Sequence, residues 1–225
     1  MRSAAIFDID HTLLKGSTAG CLGRYMLMER YLPLIYLFRI ANWSMQYKMG
    51  KINVNKLFTD YASELCAIGP ERFYWEHSQQ TFQRYIKKRL YRETYDKIQE
   101  HKKQGHVIIL ASSSPEQLVK QVADFLEADY VIGLKMEYTD GYFNGNIIQP
   151  LPLGEGKKYW VEKLCHEEGI DLMHSYFYSD SDFDLPLLNC VGFPVATNPN
   201  RRLRQVAKRN SWEILRCKEF LRQSA

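Results

Sequence analysis

Residues 3–14 read Ser-Ala-Ala-Ile-Phe-Asp-Ile-Asp-His-Thr-Leu-Leu, an apolar run that ends at two carboxylates and a hydroxyl. The uncharged run at 4–7 is typical of a strand buried on both faces of a parallel sheet. Asp8 and Asp10 are two positions apart, so in extended chain both side chains point the same way. Burial and mutual repulsion disfavour such a pair unless a cation such as Mg²⁺ offsets the charge. An acidic turn after a strand is the simpler interpretation of this stretch by itself.

The composition is that of an ordinary globular protein. The chain has 225 residues, of which 45% are hydrophobic and 25% charged, enough for one domain or one domain with a smaller lobe. A net charge of +4 suits anionic substrates but is too small to indicate a nucleic-acid partner. The five cysteines form no CxxC pair, which indicates reduced thiols, and no signal peptide is recognised at the start. We therefore expect a cytoplasmic protein.

The most apolar stretch lies at 31–38 and ends at Arg39. It is far shorter than the roughly 20 residues that a membrane-spanning helix needs, so no transmembrane segment is expected. A helix packed in a core is the usual explanation, and peripheral contact with a membrane surface is the alternative.

The hydrophobic periodicity of the sequence changes at residue 16 and again at residue 88. Between 16 and 88, aromatic, Leu and Met residues recur at helical spacing, with helices expected at 51–65 and 71–85. Outside that segment, short apolar strands alternate with helices, which predicts an α/β, Rossmann-like, mostly parallel sheet with helices on both faces. The expected strands are 4–7, 107–111, 130–133, 175–178, 192–197 and 212–215; the expected helices are 89–103, 116–126, 154–165 and 201–209. A hairpin is expected at 136–148, with turns at Asp140-Gly141 and Asn144-Gly145.

Reactive side chains follow several of these strands. Ser112 and Ser113 precede a helix, where phosphate binds but where serine is also a common cap. Lys157 starts a helix against the helix dipole, and Asp180 and Asp184 follow another strand, although acids are common at helix starts. Because the carboxyl ends of parallel strands meet at one edge, these groups would gather there. Carboxylates, a hydroxyl and a lysine together indicate phosphoryl transfer.

These segments resemble the four motifs of the haloacid dehalogenase (HAD) superfamily, in order and spacing, over the whole chain. Asp8–Thr12 resembles its DxDxT motif, Ser112 its second, Lys157 its third, and 180–184 its fourth. The helical segment resembles the type C1 cap of subfamily IB, the phosphoserine-phosphatase-like group. The resemblance implies a HAD-like core at 1–15 and 89–225 and a cap at 16–88.

The resemblance also implies a role for each motif residue. Asp8 would be the nucleophile that forms an aspartyl-phosphate, and Asp10 the general acid and base. Ser112, Ser113 and Lys157 would bind the substrate phosphate. Mg²⁺ would be held by Asp8, Asp10 through its carbonyl, and Asp180, with Thr12 and Asp184 in support.

Three positions depart from the family pattern: His11, Ser17 and Ser179, the last of which replaces the glycine that is frequent before the fourth-motif aspartate. His11 stands where glycine is common and would contact substrate or cap the turn, the second being favoured. Lys158 competes with Lys157, which is preferred because Val161 and Leu164 then share its helix side. Ser17 stands where strict phosphoserine phosphatases carry a glutamate, which argues against phosphoserine as the main substrate.

The resulting hypothesis is a Mg²⁺-dependent phosphatase acting on a small phosphorylated metabolite. One alternative is a phosphatase of lipid-linked phosphates at the membrane surface, suggested by the apolar, aromatic helical segment. The other is a phospho-accepting signalling receiver, which needs no helical insertion of about seventy residues. The sequence carries no indication of oligomeric state.

Overall fold

The computed structural model describes residues 2–49, 53–66 and 69–221. Its strands are β1 (Ala4–Phe7), β2 (Val107–Pro115), β3 (Tyr130–Leu134), β4 (Met136–Thr139), β5 (Tyr142–Ile147), β6 (Tyr176–Ser179), β7 (Phe193–Thr197) and β8 (Glu213–Leu215). Six of them form one sheet in the order β3-β2-β1-β6-β7-β8, and β4 pairs with β5 in a hairpin. All pairings within the six-stranded sheet are parallel, whereas the hairpin is antiparallel.

Helices connect the strands and fill the segment after β1. They are α1 (Thr18–Met28), α2 (Ile35–Lys48), α3 (Val54–Cys66), α4 (Glu71–Thr81), α5 (Arg92–Lys103), α6 (Glu116–Leu126), α7 (Glu155–Glu168), α8 (Leu185–Leu188) and α9 (Arg201–Arg209). Shorter turns of π or 3₁₀ geometry lie at Phe82–Ile86, Lys87–Arg89, Leu172–His174 and Asp182–Asp184. No helix in the described part of the chain is both long and apolar enough to cross a membrane.

The first strand lies at the centre of the sheet. Phe7, its last residue, is in register with Leu110 of β2 and Tyr178 of β6. Side chains alternate across the sheet, so Ala5 and Phe7 join the core on one face while Ala4 and Ile6 join the core on the other. Both faces of β1 are therefore covered, and the predicted α/β sheet with helices on both faces is confirmed.

The helical segment shares a core with the sheet. Tyr25, Met26, Phe82 and Ile86 belong to the same buried cluster as Phe7. A smaller cluster joins α3 and α4 to the β4–β5 hairpin through side chains that include Ala62, Tyr74, Met136 and Ile147. The helices after β1 therefore pack against both the main sheet and the hairpin.

Two local predictions are wrong. The turn at Asp140-Gly141 is present, but Asn144-Gly145 lies inside β5. There the side chain of Asn144 accepts the amide hydrogen of Asn146, a turn-like bond made within an exposed strand. The helix predicted from residue 89 begins instead at Arg92, because the preceding Leu90 and Tyr91 are extended.

One further helix start falls partly outside the described residues. The predicted helix at 51–65 is observed from Val54, where Asn53 accepts the amide hydrogen of Lys56 at 2.8 Å as a cap. Residues 51 and 52 lie outside the described residues.

Two other predicted elements differ in extent from those observed. The helix predicted at 71–85 is α4 followed by the π turn Phe82–Ile86, and the strand predicted at 107–111 continues to Pro115.

Candidate active site

Asp8 directly follows β1, and its side chain is buried in the protein interior. Its amide hydrogen is donated to the carbonyl of Tyr178 at 2.9 Å, which continues the pairing with β6 by one residue. Its Oδ1 accepts a hydrogen bond from Lys157 Nζ at 2.7 Å. The carboxylate therefore has one fixed orientation at the carboxyl edge of the sheet.

Lys157 reaches this edge from the first turn of α7 and is almost fully buried. Besides Asp8, its Nζ donates to Asp184 Oδ2 at 2.8 Å. Burial alone would lower the pKa of Lys157, but Asp184 and Asp8 outweigh burial and raise it. Lys158 instead lies on the surface, 3.8 Å from Glu162, so the geometry favours Lys157 for the third motif.

Asp184 lies at the end of the turn Asp182–Asp184 and is nearly inaccessible. Its Oδ2 also accepts a hydrogen bond from Ser179 Oγ at 2.7 Å. Its Oδ1 is buried and has no hydrogen-bond partner among the described residues. A buried carboxylate oxygen without a partner is unfavourable, so Asp184 keeps an acceptor that a further ligand of the site would satisfy.

Asp180 directly follows β6 and completes the acidic edge. Burial raises the pKa of its carboxyl to about 6; His11 and Lys157 lower this pKa, whereas Asp184 raises it. Burial likewise raises the pKa of Asp8, which Lys157 lowers and the neighbouring Asp184 and Asp10 raise. The pocket thus holds more carboxylates than lysines, an arrangement that a cation would stabilise.

The described residues contain no cluster of three or more acidic, histidine or cysteine side chains arranged as a metal site. The predicted ligand set does not require one, because it consists of two carboxylates, Asp8 and Asp180, and the backbone carbonyl of Asp10. All are oxygen donors, which Mg²⁺ prefers. Together with the unpartnered Oδ1 of Asp184, the donor chemistry fits this ion.

Asp10 is held from two sides. Its Oδ1 accepts hydrogen bonds from the amide and the hydroxyl of Thr18, at 2.9 and 3.0 Å. Its Oδ2 accepts one from Ser114 Oγ at 3.3 Å, and the two hydroxyls lie 2.5 Å apart. Burial raises the pKa of the Asp10 carboxyl, and the hydrogen bonds from Thr18 and Ser114 lower it.

Thr18, Ser114 and Ser179 were not predicted as site residues. Ser114 belongs to the run Ser112-Ser113-Ser114-Pro115, which resembles the second motif of the phosphoserine-phosphatase-like group, so a signal existed for that residue. Thr18 lies near the start of the predicted helical segment and is 96 positions away in sequence from Ser114, so no local pattern indicates their contact.

The predicted serines and the turn residues are also at this edge. Ser112 is buried at the end of the apolar part of β2, and its Oγ accepts the amide hydrogen of Ser114 at 3.2 Å; Ser113 is half-buried beside it. His11 is exposed with φ +60°, and its amide hydrogen is donated to the carbonyl of Gly16 at 3.0 Å. Thr12 is fully buried, and its Oγ1 has no hydrogen-bond partner among the described residues.

His11 therefore belongs to the turn and also acts on the acidic edge. Its backbone forms the turn, and its imidazole, when protonated, lowers the pKa of Asp180 and Asp10. The backbone hydrogen bond agrees with the favoured interpretation of His11 as a turn residue, whereas contact with substrate stays a prediction.

Comparison with known proteins agrees with this geometry. The model of the haloacid dehalogenase-like hydrolases matches residues 5–189. A phosphoserine phosphatase of Mycobacterium tuberculosis, SerB1, is 31% identical over 95% of this chain and 70% of its own length. A histidinol-phosphatase of Neisseria meningitidis is 27% identical over 97% of this chain and its whole length. A solved structure of a protein of unknown function from Bordetella pertussis Tohama I has a TM-score of 0.88 at 25% identity, covering 96% of this chain and 98% of its own.

The chain belongs to the haloacid dehalogenase-like hydrolase family, since the family model spans most of its length. The predicted enzyme class, a phosphoric monoester hydrolase, is confirmed by the family and by its relatives.

Proposed function

We propose that the enzyme hydrolyses a small phosphorylated metabolite through an aspartyl-phosphate on Asp8, with Mg²⁺ bound. The observation that carries this proposal is the position of Lys157, which lies between Asp8 and Asp184 at the carboxyl edge of the sheet. A lysine there neutralises phosphoryl oxygens beside the carboxylate that attacks phosphorus. Phosphatases among the relatives support the reaction class.

In the first step an oxygen of Asp8 forms a bond to phosphorus while the ester P–O bond breaks. Asp10 gives a proton to the departing oxygen; burial raises the pKa of Asp10, which favours the protonated form that this step needs. In the second step Asp10 takes a proton from water as that water attacks phosphorus, and Asp8 is released. Ser112, Ser113 and Lys157 hold the phosphoryl oxygens throughout.

The magnesium ion would be held by Asp8, the carbonyl of Asp10 and Asp180, with Asp184 and Thr12 in support. When bound, it neutralises charge on the phosphate and on the surrounding carboxylates. The unpartnered oxygens of Asp184 and Thr12 are free to accept or donate hydrogen bonds to water in such a site.

The domain division is part of this proposal, with a core at 1–15 and 89–225 and a cap at 16–88. The two crossings between them lie together, because the amide hydrogen of Lys15 is donated to the carbonyl of Arg89 at 2.9 Å. Gly16 at the first crossing has φ +96°, a conformation that glycine adopts readily. We also propose a cytoplasmic location, in keeping with the cysteine pattern.

The substrate is proposed to be a metabolite other than phosphoserine. Ser17, at the position where strict phosphoserine phosphatases carry glutamate, caps α1 by accepting the amide hydrogen of Gly20 at 3.1 Å. The side chain is short and already occupied by the cap, so it supplies no carboxylate for a substrate amine. The named relatives act on different esters, which makes a substrate panel the direct test.

The test measures phosphate release from p-nitrophenyl phosphate and from a panel including phosphoserine and histidinol phosphate. Wild type and Asp8→Asn are compared with Mg²⁺ and with chelator. We expect turnover by wild type only with Mg²⁺ and a loss of about a thousandfold or more in Asp8→Asn, because the nucleophile is gone. Asp140→Asn, at the exposed hairpin turn, is the matched control and keeps full activity.

Equal turnover by wild type and Asp8→Asn would contradict the assignment of the nucleophile. A phosphorylated Asp8 that accumulates without release of phosphate would favour the signalling receiver. Hydrolysis of lipid phosphates in preference to every metabolite on the panel would favour the lipid-phosphate alternative.

A further inference from the structure

The start of the helical segment exposes a row of large apolar side chains. Leu34 and Phe38 are 73% and 72% exposed. The row, called here the α2 face, consists of Leu34, Ile35, Phe38, Met45 and Met49. Single exposed apolar residues are common, but five within 16 positions of one helix and its ends form a surface that water solvates poorly.

The α2 face is a true helical stripe. At 3.6 residues per turn, Leu34, Phe38, Met45 and Met49 fall within about 60° of the helix circumference. Tyr36, which points to the opposite side, is buried in the main core. With a rise of 1.5 Å per residue, the stripe is about 22 Å long. The helix therefore buries one side in the protein and presents an apolar line outward.

The sequence that carries this stripe is rich in basic residues. Residues 30–59 contain no aspartate or glutamate and five basic residues: Arg30, Arg39, Lys48, Lys51 and Lys56. Arg39 pairs with Glu64 and Lys56 with Asp60, both from the following helix, so two of the five charges are compensated. The exposed apolar stripe thus lies in a segment of net positive charge.

We propose that the α2 face binds the surface of an anionic lipid bilayer, with its apolar side chains in the headgroup region and the net positive charge of residues 30–59 attracting the anionic headgroups. An apolar stripe in a basic, acid-free segment is the pattern of helices that lie in a membrane interface. A second copy of this chain fits the charge less well, because two positively charged segments would repel each other across the contact. This docking is independent of the proposed catalytic function.

The test is co-sedimentation of the full chain with vesicles of equal parts phosphatidylglycerol and phosphatidylcholine, and with phosphatidylcholine alone. Wild type is expected to sediment with the anionic vesicles, and less so at 0.5 M salt. The double variant Leu34→Gln/Phe38→Gln is expected to bind at least about a hundredfold more weakly, roughly tenfold for each large side chain withdrawn from the interface. Met173→Gln/Phe193→Gln removes two exposed apolar residues elsewhere, at 65% and 47% exposure, and should bind as wild type does.

Circular dichroism and turnover of p-nitrophenyl phosphate show that each variant is folded, since none of these side chains lies in the catalytic site. Failure of wild type to sediment with anionic vesicles would overturn the proposal. So would equal binding by the two double variants. Sedimentation equilibrium without lipid supplies the other decisive outcome: a dimer that Leu34→Gln/Phe38→Gln abolishes would identify the occupant as a second copy.

Discussion

The lysine between two buried carboxylates controls both chemistry and stability. Lys157→Met leaves Asp8 and Asp184 without their shared cation, and we expect turnover to fall by about a hundredfold or more. The free energy of unfolding should fall by about 3 kcal/mol, because a buried pair is broken from one side. Steady-state kinetics and urea denaturation measure the two effects.

Lys158→Met is the matched control one residue along α7. Its side chain is 30% exposed and its amine lies 3.8 Å from Glu162, away from Asp8 and Asp184, so turnover should match wild type and stability should change by less than about 0.5 kcal/mol. If Lys158→Met were instead the inactive variant, the third-motif assignment would be reversed.

The hydroxyl of Thr18 is expected to tune Asp10. Thr18→Val keeps the backbone amide that donates a hydrogen bond to Asp10 but removes the hydroxyl that donates a second one. Because a charge-assisted hydrogen bond is lost, kcat should fall about tenfold. That bond lowers the pKa of Asp10, and its loss should move the Asp10-dependent limb of the pH profile of kcat/KM to higher pH.

Ser17→Ala separates this effect from helix capping. It removes the cap of the same helix without touching Asp10, so stability should fall by about 1 kcal/mol while the pH profile stays in place. An unchanged profile in Thr18→Val would show that the hydroxyl does not act on Asp10.

At the scale of elements, the start of α7 is set by a close backbone approach. A Cβ on Gly156 would stand 1.9 Å from the carbonyl oxygen of Leu151, so Gly156→Ala must displace the first turn that carries Lys157. We expect a loss of about 2–3 kcal/mol in unfolding free energy and a parallel loss of activity.

Gly23→Ala is the opposite case. It lies inside α1, where a Cβ would meet nothing within 4 Å, and should gain about 0.5–1 kcal/mol from helix propensity. Thermal unfolding of both variants measures the contrast, and stabilisation by Gly156→Ala would refute the proposed constraint.

The elements themselves were largely predictable, because their apolar periodicity is local. The bounds of α6 and α9 agree with those expected from their polar and apolar positions. Errors arose where tertiary contacts decide the backbone: Tyr91 is extended and pairs with Phe220 instead of starting α5. Nothing in the sequence around Tyr91 or Phe220 indicates that these two residues pair.

The motif carboxylates were predictable because they too belong to a local sequence pattern. The residues that hydrogen-bond to these carboxylates were not predictable. Asp8 and Asp10 stand out at the end of an apolar run, whereas Ser179 is marked in the sequence only as a departure from the family pattern, and its hydrogen bond to Asp184 is visible only in the structure. Which of two adjacent lysines faces inward depends on the rotation of α7, which its contact with the loop at Leu151 determines.

At the scale of the whole molecule, a buried histidine links stability to pH. His101 in α5 contacts His106 and the hydroxyl of Tyr178, both at 2.8 Å. Burial, with help from His106 and Lys97, lowers the pKa of His101 from 6.5 to about 4. The unfolded chain binds this proton first, so stability is lost as pH falls from about 6.5 to 4, by up to about 3 kcal/mol.

Urea denaturation of wild type and His101→Phe at pH 7 and pH 5 checks this expectation. The variant should lose part of the fall in stability between the two pH values, whereas His166→Phe, on the exposed side of α7, should keep it. The raised pKa of the Asp180 carboxyl has the opposite effect, since it stabilises the folded protein as pH falls. This contribution is the same in all three proteins, so the difference in pH dependence between them reports on His101. Identical slopes in wild type and His101→Phe would contradict the linkage.

The central position of β1 has a consequence for the nascent chain during translation. Its partner β6 lies about 170 residues downstream, and Lys157 lies 149 residues beyond Asp8. At about 5–20 residues per second, a ribosome takes roughly 10–35 s to proceed from Asp8 to Asp184. During that interval β1 can pair with β2 once residues 107–115 have been made, but the site still lacks Lys157 and Asp184, so phosphatase activity begins only after Asp184 has been added.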